Sequence, residues 1–358
     1  MPIVEATPLF PGMAGSSVVV QLDVLYIVLT ALTLLHAVSK RGLLAGVAVV
    51  AYLAAHTAAF EHISLFLGGS HCHASSSHLP MVTPCSSINS ILFYVPWTYT
   101  SIEAARRLNL HPIAFPFAVG LLQIGFGSVY EMQGPWNRFW QWPDTEGVIA
   151  SSPTMLKAWD GYPPIAALDD AKAHREVATI AAGVFRVSQH AGGALAERLH
   201  MFPVIAPYFH FAFGFGWAAG LVLTGDVGAA APPPSLTRLV IAGVLSVVLF
   251  LPPIWITWGA SVAVGLPLVQ GVPLSLALSA LPLYLLGRRR HVAAAADPLL
   301  FSISLGMHAF MVSFPWRASE QPEPASLIVL VTAVATMHLA AQAYICCPRS
   351  ATTSKKRD

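Results

Sequence analysis

Apolar stretches of about twenty residues recur along the chain, and no other feature constrains its fold as strongly. Wound as a helix, such a stretch crosses a hydrocarbon layer of roughly 30 Å. In lipid a spanning segment must satisfy its own backbone hydrogen bonds, which favours helices over irregular chain. Nine candidate segments can be read: about 18–38, 43–67, 87–105, 112–131, 201–223, two within 237–287, 298–315 and 326–346. Only 10% of the 358 residues are charged, against about 25% in an average soluble protein. Charge therefore cannot cover the surface of this chain as it covers a globular domain. No run of short in-out alternating segments suggests a β-barrel. The expectation is an all-α fold, a polytopic transmembrane helical bundle of about nine spans.

Charge placement orients the bundle. Lys40 and Arg41 follow the first segment, Arg106 and Arg107 the third, and Arg288, Arg289 and Arg290 the seventh. Arg238 opens the sixth, and Lys355, Lys356 and Arg357 lie at the end of the sequence. With nine spans these positions share one side, while the loop 68–86 on the other side has no Lys or Arg. The excess of Lys and Arg in cytosolic loops then predicts an N-terminus outside or in a lumen and a C-terminus in the cytosol. The first residues lack a basic n-region and a short apolar core, so no cleavable signal peptide is expected. Residues 1–17 form a non-cytosolic segment, 18–348 the membrane domain and 349–358 a disordered tail. The net charge of +2 implies no nucleic-acid partner; the expected partners are membrane lipids.

The outer region 132–200 divides in two. Residues 132–165 are rich in Pro, Gly and Trp and read as ordered loop. Residues 166–190 read as an amphipathic outer helix, with Asp169 and Asp170 at its N-terminal end and Val177, Ile180, Ala181 and Val184 at helical spacing. The helix rests either on the membrane surface or on the protein's own outer face.

Ionisable groups inside spans are costly and mark functional positions. Asp23, Glu61, Glu103 and Glu131, with His56, His62, His210, His308 and His338, are the notable ones. Glu103 lies beside Arg106 and Arg107 and reads as an interfacial ion pair. Glu61, His62, Glu131 and His210 fall toward the non-cytosolic ends of their segments. They make the sharpest candidate for general acid–base catalysis, because burial moves carboxyl and imidazole groups toward neutrality from opposite sides. Arg198 and Asp144 would position a polar head group, with Trp140 and Trp142 as an aromatic wall.

The loop GGSHCHASSSHLPMVTPC adds His71, Cys72, His73 and His78 as a weaker alternative, a zinc or copper site. No His-x-x-His or His-x-x-x-His pair supports it. Cys72 and Cys85 share this non-cytosolic loop and are a candidate disulfide. Cys346 and Cys347 end the last segment on the cytosolic side and suit palmitoylation. No glycine-rich phosphate loop or nucleophile elbow is present, and the sequence leaves the cofactor unknown.

YEMQGPWNRFWQWPDTEGVI resembles a family of eukaryotic multi-pass membrane proteins defined by a domain of unknown function. Its pattern runs Tyr-Asp-x-x-Gly, then Trp-Trp-x-Trp-His-Asp-Thr-Asp-Pro, then Arg, Val-Pro and Phe-His. Tyr130, Glu131, Gly134, Trp140, Trp142, Asp144 and Thr145 match the first parts. Arg198, Pro203, Phe209 and His210 match the last. Glu61-His62, Cys72-His73, Pro84-Cys85 and Tyr94-Val95-Pro96-Trp97 resemble the family's earlier segment, so the resemblance covers about 55–210. Pro143, Glu146 and Val148 depart from the pattern, and 149–195 reads as an insertion. A fainter similarity, to carotenoid hydratases, rests on a Glu-x-x-Gly helix end and tryptophan-rich loops. The resemblance implies a membrane protein and assigns no activity. The expected function is a membrane enzyme acting on a lipid or isoprenoid at the non-cytosolic leaflet. The alternatives are a transporter or channel-like protein and a non-catalytic scaffold or receptor.

Overall fold

Helix placement follows the apolar segments. The computed structural model describes residues 17–68, 72–73, 79, 81–83, 86–133, 140–141, 202–225, 227, 232–250, 252–253, 279–286, 295–313 and 325–347. The helices are α1 (Ser17–Arg41), α2 (Leu43–Gly68), α3 (Ile88–Arg107), α4 (Phe115–Gln133), α5 (Phe202–Thr224), α6 (Leu236–Leu249), α7 (Pro298–Ser313) and α8 (Ala325–Cys346). Residues 279–286 are also helical. The fold is all-α apart from short ladders. β1 (Cys72–His73) pairs antiparallel with β4 (Trp140–Gln141), and β2 (Met81–Thr83) with β3 (Ser86–Ser87). Helix α6 stops at Leu249, ahead of Pro252 and Pro253. The rest of that stretch, 254–278, and the expected outer helix at 166–190 lie outside the described residues.

Local chemistry explains the joints. Gly42 alone separates α1 from α2 and takes φ +80°, a left-handed conformation that glycine adopts without a Cβ penalty. Pro96 sits inside α3 and cannot donate to the carbonyl of Leu92 one turn back. Thr30 of α1 donates to that carbonyl instead, at 3.1 Å. A neighbouring helix thus restores the bond that proline removes, as buried helices require. At the other boundaries side chains cap the ends. Ser235 accepts from the Arg238 amide at the start of α6, and Asp297 accepts from the Leu300 amide at the start of α7.

Small residues set the closest helix contacts. A Cβ on Gly220 of α5 would stand 2.6 Å from the Ala242 carbonyl oxygen of α6. One turn away, a Cβ on Gly216 would stand 2.9 Å from the Ser246 carbonyl oxygen. This is the small-residue stripe that lets two backbones approach. On its other side α5 meets α4, where Gly120 gives room to Phe211 and Gly127 to His210.

The outward faces of several helices are rich in large aliphatic side chains, while polar side chains are buried opposite them. Helix α6 buries Ala242, Gly243 and Ser246 and exposes Val240, Ile241, Val244 and Val248, with Val244 66% exposed. Helix α8 buries His338 and Gln342 and exposes Val329 and Met337. Helix α1 buries Asp23, Thr33 and His36 and exposes Val24, Ile27, Val28 and Leu35. Several polar side chains thus join Leu22, Tyr26, Leu29, Leu239, Val331 and Ile345 in the interior, while many large aliphatic ones face outward. Among the described residues, Val20–Arg41 is the one stretch that is both long and apolar enough to cross a membrane. Shorter apolar helical stretches accompany it at Leu43–Ala59, Phe115–Tyr130, His210–Thr224, Leu236–Leu249, Pro298–Ser313 and Val331–Cys346.

Because the Gly220 contact is with backbone, relief requires the two helices to separate. Gly220→Val is expected to cost about 1–3 kcal/mol, read as a lower midpoint of thermal unfolding in detergent, while Val244→Ala on the outward face changes it little. Equal effects of the two substitutions would contradict the packing.

Candidate functional site

Of the expected acid–base residues, His210 is the one whose side chain is described. It is 3% exposed on α5. Its ring centroid lies 5.8 Å from that of Tyr94 and 5.2 Å from that of Trp97, both on α3. Gly127 of α4 packs directly on the imidazole. Glu131 follows Gly127 by one helical turn, which places its backbone position above His210 on the same stripe of α4. Glu61 and His62 occupy the later turns of α2. The side chains of Glu61, His62, Glu131 and Trp140 lie outside the described residues, as do Trp142, Asp144 and Arg198 entirely.

The histidine-rich loop and the tryptophan-rich loop meet through their backbones. Cys72 is in register with Gln141 and His73 with Trp140. This pairing across a separation of more than sixty residues is not legible in either loop alone. His71, His78 and Cys85 lie outside the described residues, and with them the proposed metal set and the Cys72–Cys85 disulfide. Among the described residues no group of three or more His, Cys, Asp or Glu is placed to hold a metal ion. Cys346 and Cys347 are free thiols, the first buried and the second exposed.

From His210 an aromatic column runs through the bundle. Trp97 stacks on Phe126 of α4 at 6.0 Å, and Phe126 stacks on His308 of α7 at 5.4 Å. His308 Nε2 lies 2.6 Å from His338 Nδ1 of α8, and His338 Nε2 lies 3.2 Å from the Gln342 amide nitrogen. An amide N–H only donates, so His338 Nε2 accepts and its proton sits on Nδ1. That proton is donated to His308 Nε2, which leaves the His308 proton on Nδ1. The Cys346 thiol, 3.8 Å from Gln342 Oε1, donates to it and agrees with this amide orientation. A second buried histidine, His56 of α2, bonds the Gly243 carbonyl at 3.0 Å and contacts Ser246 at 3.2 Å. Asp23 of α1 accepts from the Asn89 amide of α3.

At the other end of the bundle lies a charged knot that the apolar pattern conceals. Asp297 pairs with His36 Nε2 at 3.1 Å and Lys40 at 3.0 Å, both from α1, and with Arg107 of α3 at 3.4 Å. The Tyr99 hydroxyl lies 2.8 Å from His36 Nδ1. A carboxylate only accepts, so His36 Nε2 donates to Asp297, while Nδ1 shares its hydrogen bond with the Tyr99 hydroxyl. The Asp297 amide donates to the Cys346 carbonyl at 2.7 Å, which adds α8. Beside this knot Glu103 accepts from Arg41 at 2.7 Å and Arg106 at 3.1 Å. The expected Glu103–Arg106 pair is present, whereas Arg107 turns to Asp297. His36, Tyr99 and Asp297 are the residues that sequence reasoning missed. The available signal was Asp297 before Pro298, a capping residue ahead of a first-turn proline.

No protein-family signature, no curated protein and no solved structure matches the chain.

Asp297 precedes α7 and lies outside the apolar stretches. Burial alone would raise its carboxyl pKa, but the hydrogen bonds from His36 and Lys40 outweigh burial and hold it well below the usual carboxylate range. A depressed carboxyl contributes stability above its unfolded pKa and loses it as pH falls toward the folded value. Removing one partner of a buried pair costs about 3–5 kcal/mol. Asp297→Asn is therefore expected to lower thermal stability at neutral pH and to flatten the loss of stability below about pH 4. Parallel acid limits for variant and wild type would contradict the assignment.

Proposed function

We propose that the chain is a multi-pass integral membrane protein of about nine spans, with its N-terminus outside or in a lumen and its C-terminus in the cytosol. It acts on a lipid or isoprenoid by acid–base chemistry at the non-cytosolic leaflet. The outward aliphatic faces of α1, α6 and α8, with polar side chains buried opposite, support a lipid surround. The gathering of Lys40, Arg41, Arg106 and Arg107 at one end of the bundle supports the orientation. The resemblance to a multi-pass membrane family would fit a lipid surround, says nothing of orientation and supplies no activity.

The activity rests on His210. Its imidazole is enclosed by Tyr94 and Trp97 one turn below the position of Glu131. An aromatic wall suits an apolar chain and stabilises positive charge that develops on it. An imidazole and a carboxyl at that wall can exchange a proton with the bound molecule. Glu61 and His62 lie in the later turns of α2 and would complete the proton-handling set. Arg198, Asp144, Trp140 and Trp142 would hold the polar end of the substrate.

General acid–base groups contribute about 10²–10⁴-fold to rate. Glu131→Gln and His210→Ala, each folded and inserted, should therefore change the cellular lipid profile in the same direction as deletion of the protein. A wild-type profile in both variants contradicts the enzyme reading. A second reading, a proton-coupled transporter, is favoured by the His308–His338 pair in the bundle interior. Proton-coupled uptake in proteoliposomes that survives His210→Ala selects it. Orientation has its own test at Cys347. A membrane-impermeant maleimide should label this thiol only after permeabilisation, with Cys347→Ser identifying the signal. Labelling in intact cells reverses the topology.

A further inference from the structure

His36 differs from His56 and His308 in what its ring nitrogens meet. Among the described residues, His56 Nδ1 and His308 Nδ1 have no hydrogen-bond partner, so a proton added there would stay unpaired in the interior. His36 is 2% exposed, yet both of its nitrogens are bonded. Nε2 donates to Asp297 at 3.1 Å, and Nδ1 lies 2.8 Å from the Tyr99 hydroxyl. A carboxylate accepts from either form of the ring. A hydroxyl donates to a bare Nδ1 and accepts from a protonated one. Neutral and charged His36 therefore keep the same two hydrogen bonds.

The surroundings act on that charge from several helices. Asp297, at the start of α7, attracts a proton on the ring. Lys40 of α1 and Arg107 of α3, paired with the same carboxylate, repel it. Beyond Tyr99 stand Glu103 and Arg106 of α3 with Arg41 of α1. From α8, Cys346 accepts the Asp297 amide at its carbonyl and adds a thiol near the carboxylate. The Lys40 side chain is 47% exposed, so the knot is open to solvent at that edge.

We propose that His36 is a reversible proton-binding site, with Asp297 holding the ring in either charge state and the Tyr99 hydroxyl turning to match it. The added proton resides on Nδ1. In the neutral form Tyr99 donates to Nδ1. In the charged form Nδ1 donates to the Tyr99 oxygen, and the hydroxyl proton turns to another acceptor. That acceptor is the Glu103 carboxylate, one turn along α3 and within electrostatic reach of Tyr99. Glu103 then shares itself between Tyr99 and Arg41, and Arg41 also holds the Pro234 carbonyl ahead of α6. Proton uptake thus tightens α1 on α7 through a charge-assisted bond and loosens the hold of Arg41. The site lies at the opposite end of the bundle from His210 and does not depend on the acid–base reading there.

The test uses the full chain in phospholipid nanodiscs, labelled with ¹⁵N-histidine and ¹³C-tyrosine. Loss of signals in His36→Gln and Tyr99→Phe assigns them. Between about pH 8 and about pH 5, the range in which histidines change charge, His36 Nδ1 should pass from bare to protonated. Tyr99 Cζ should shift with the same midpoint. Asp297→Asn removes the attracting charge and should weaken proton binding about tenfold. Lys40→Met removes a repelling, half-exposed charge and should strengthen it about threefold. It leaves Asp297 paired with His36 and Arg107, so it decides the matter where Asp297→Asn does not fold. The proposal is overturned if His36 keeps one protonation state throughout, if Tyr99 Cζ does not follow it, or if Lys40→Met leaves the midpoint unchanged.

Discussion

The bundle depends on one carboxylate. Asp297 binds His36 and Lys40 from α1 and Arg107 from α3, caps α7, and donates its amide to the last turn of α8. Four helices far apart in sequence are fixed in order and depth by this residue. Burial leaves such a carboxylate little water to fall back on, so partners must come from the protein. The same demand explains Thr30 on the Leu92 carbonyl and His56 on the Gly243 carbonyl. Helix packing then follows from where small residues let backbones approach, chiefly Gly216 and Gly220 against α6 and Gly127 against His210.

Much of the helix layout is legible in the sequence because one physical variable, apolar run length, controls it. The boundaries of α1, α2, α3, α4, α5 and α8 lie within about three residues of the apolar segments, an ordinary margin for such readings. Side-chain partnerships are less legible, because they depend on which helices become neighbours. His36 meets Asp297 across 261 positions and Tyr99 across 63. Neither carries a local signal stronger than a polar residue in an apolar run. His308 and His338 are visible as costly span residues, yet their contact emerges only when α7 lies against α8. The β1–β4 ladder brings His73 beside Trp140 through backbone bonds that composition does not encode.

Chemistry is distributed along the depth of the bundle. One end carries the charged knot, whose groups are paired with one another and hold the helices. Toward the other end, His210 and the Glu131 position lie at an aromatic wall. Between them, Trp97, Phe126 and His308 form a stacked column that leads to His338 and Gln342. Rigid aromatic rings pack against His210 and His308.

The account stands on the claim that lipid, not water, surrounds the outward faces. Spin labels placed singly along α6 from Val240 to Val248 and read for collision with oxygen and with a water-soluble nickel chelate test it directly. The account predicts a helical period in oxygen access, high at Val244 and Val248 and low at Ala242 and Ser246, with little nickel access at the aliphatic positions. High nickel access at Val244 and Val248 would place that face in water and contradict the account.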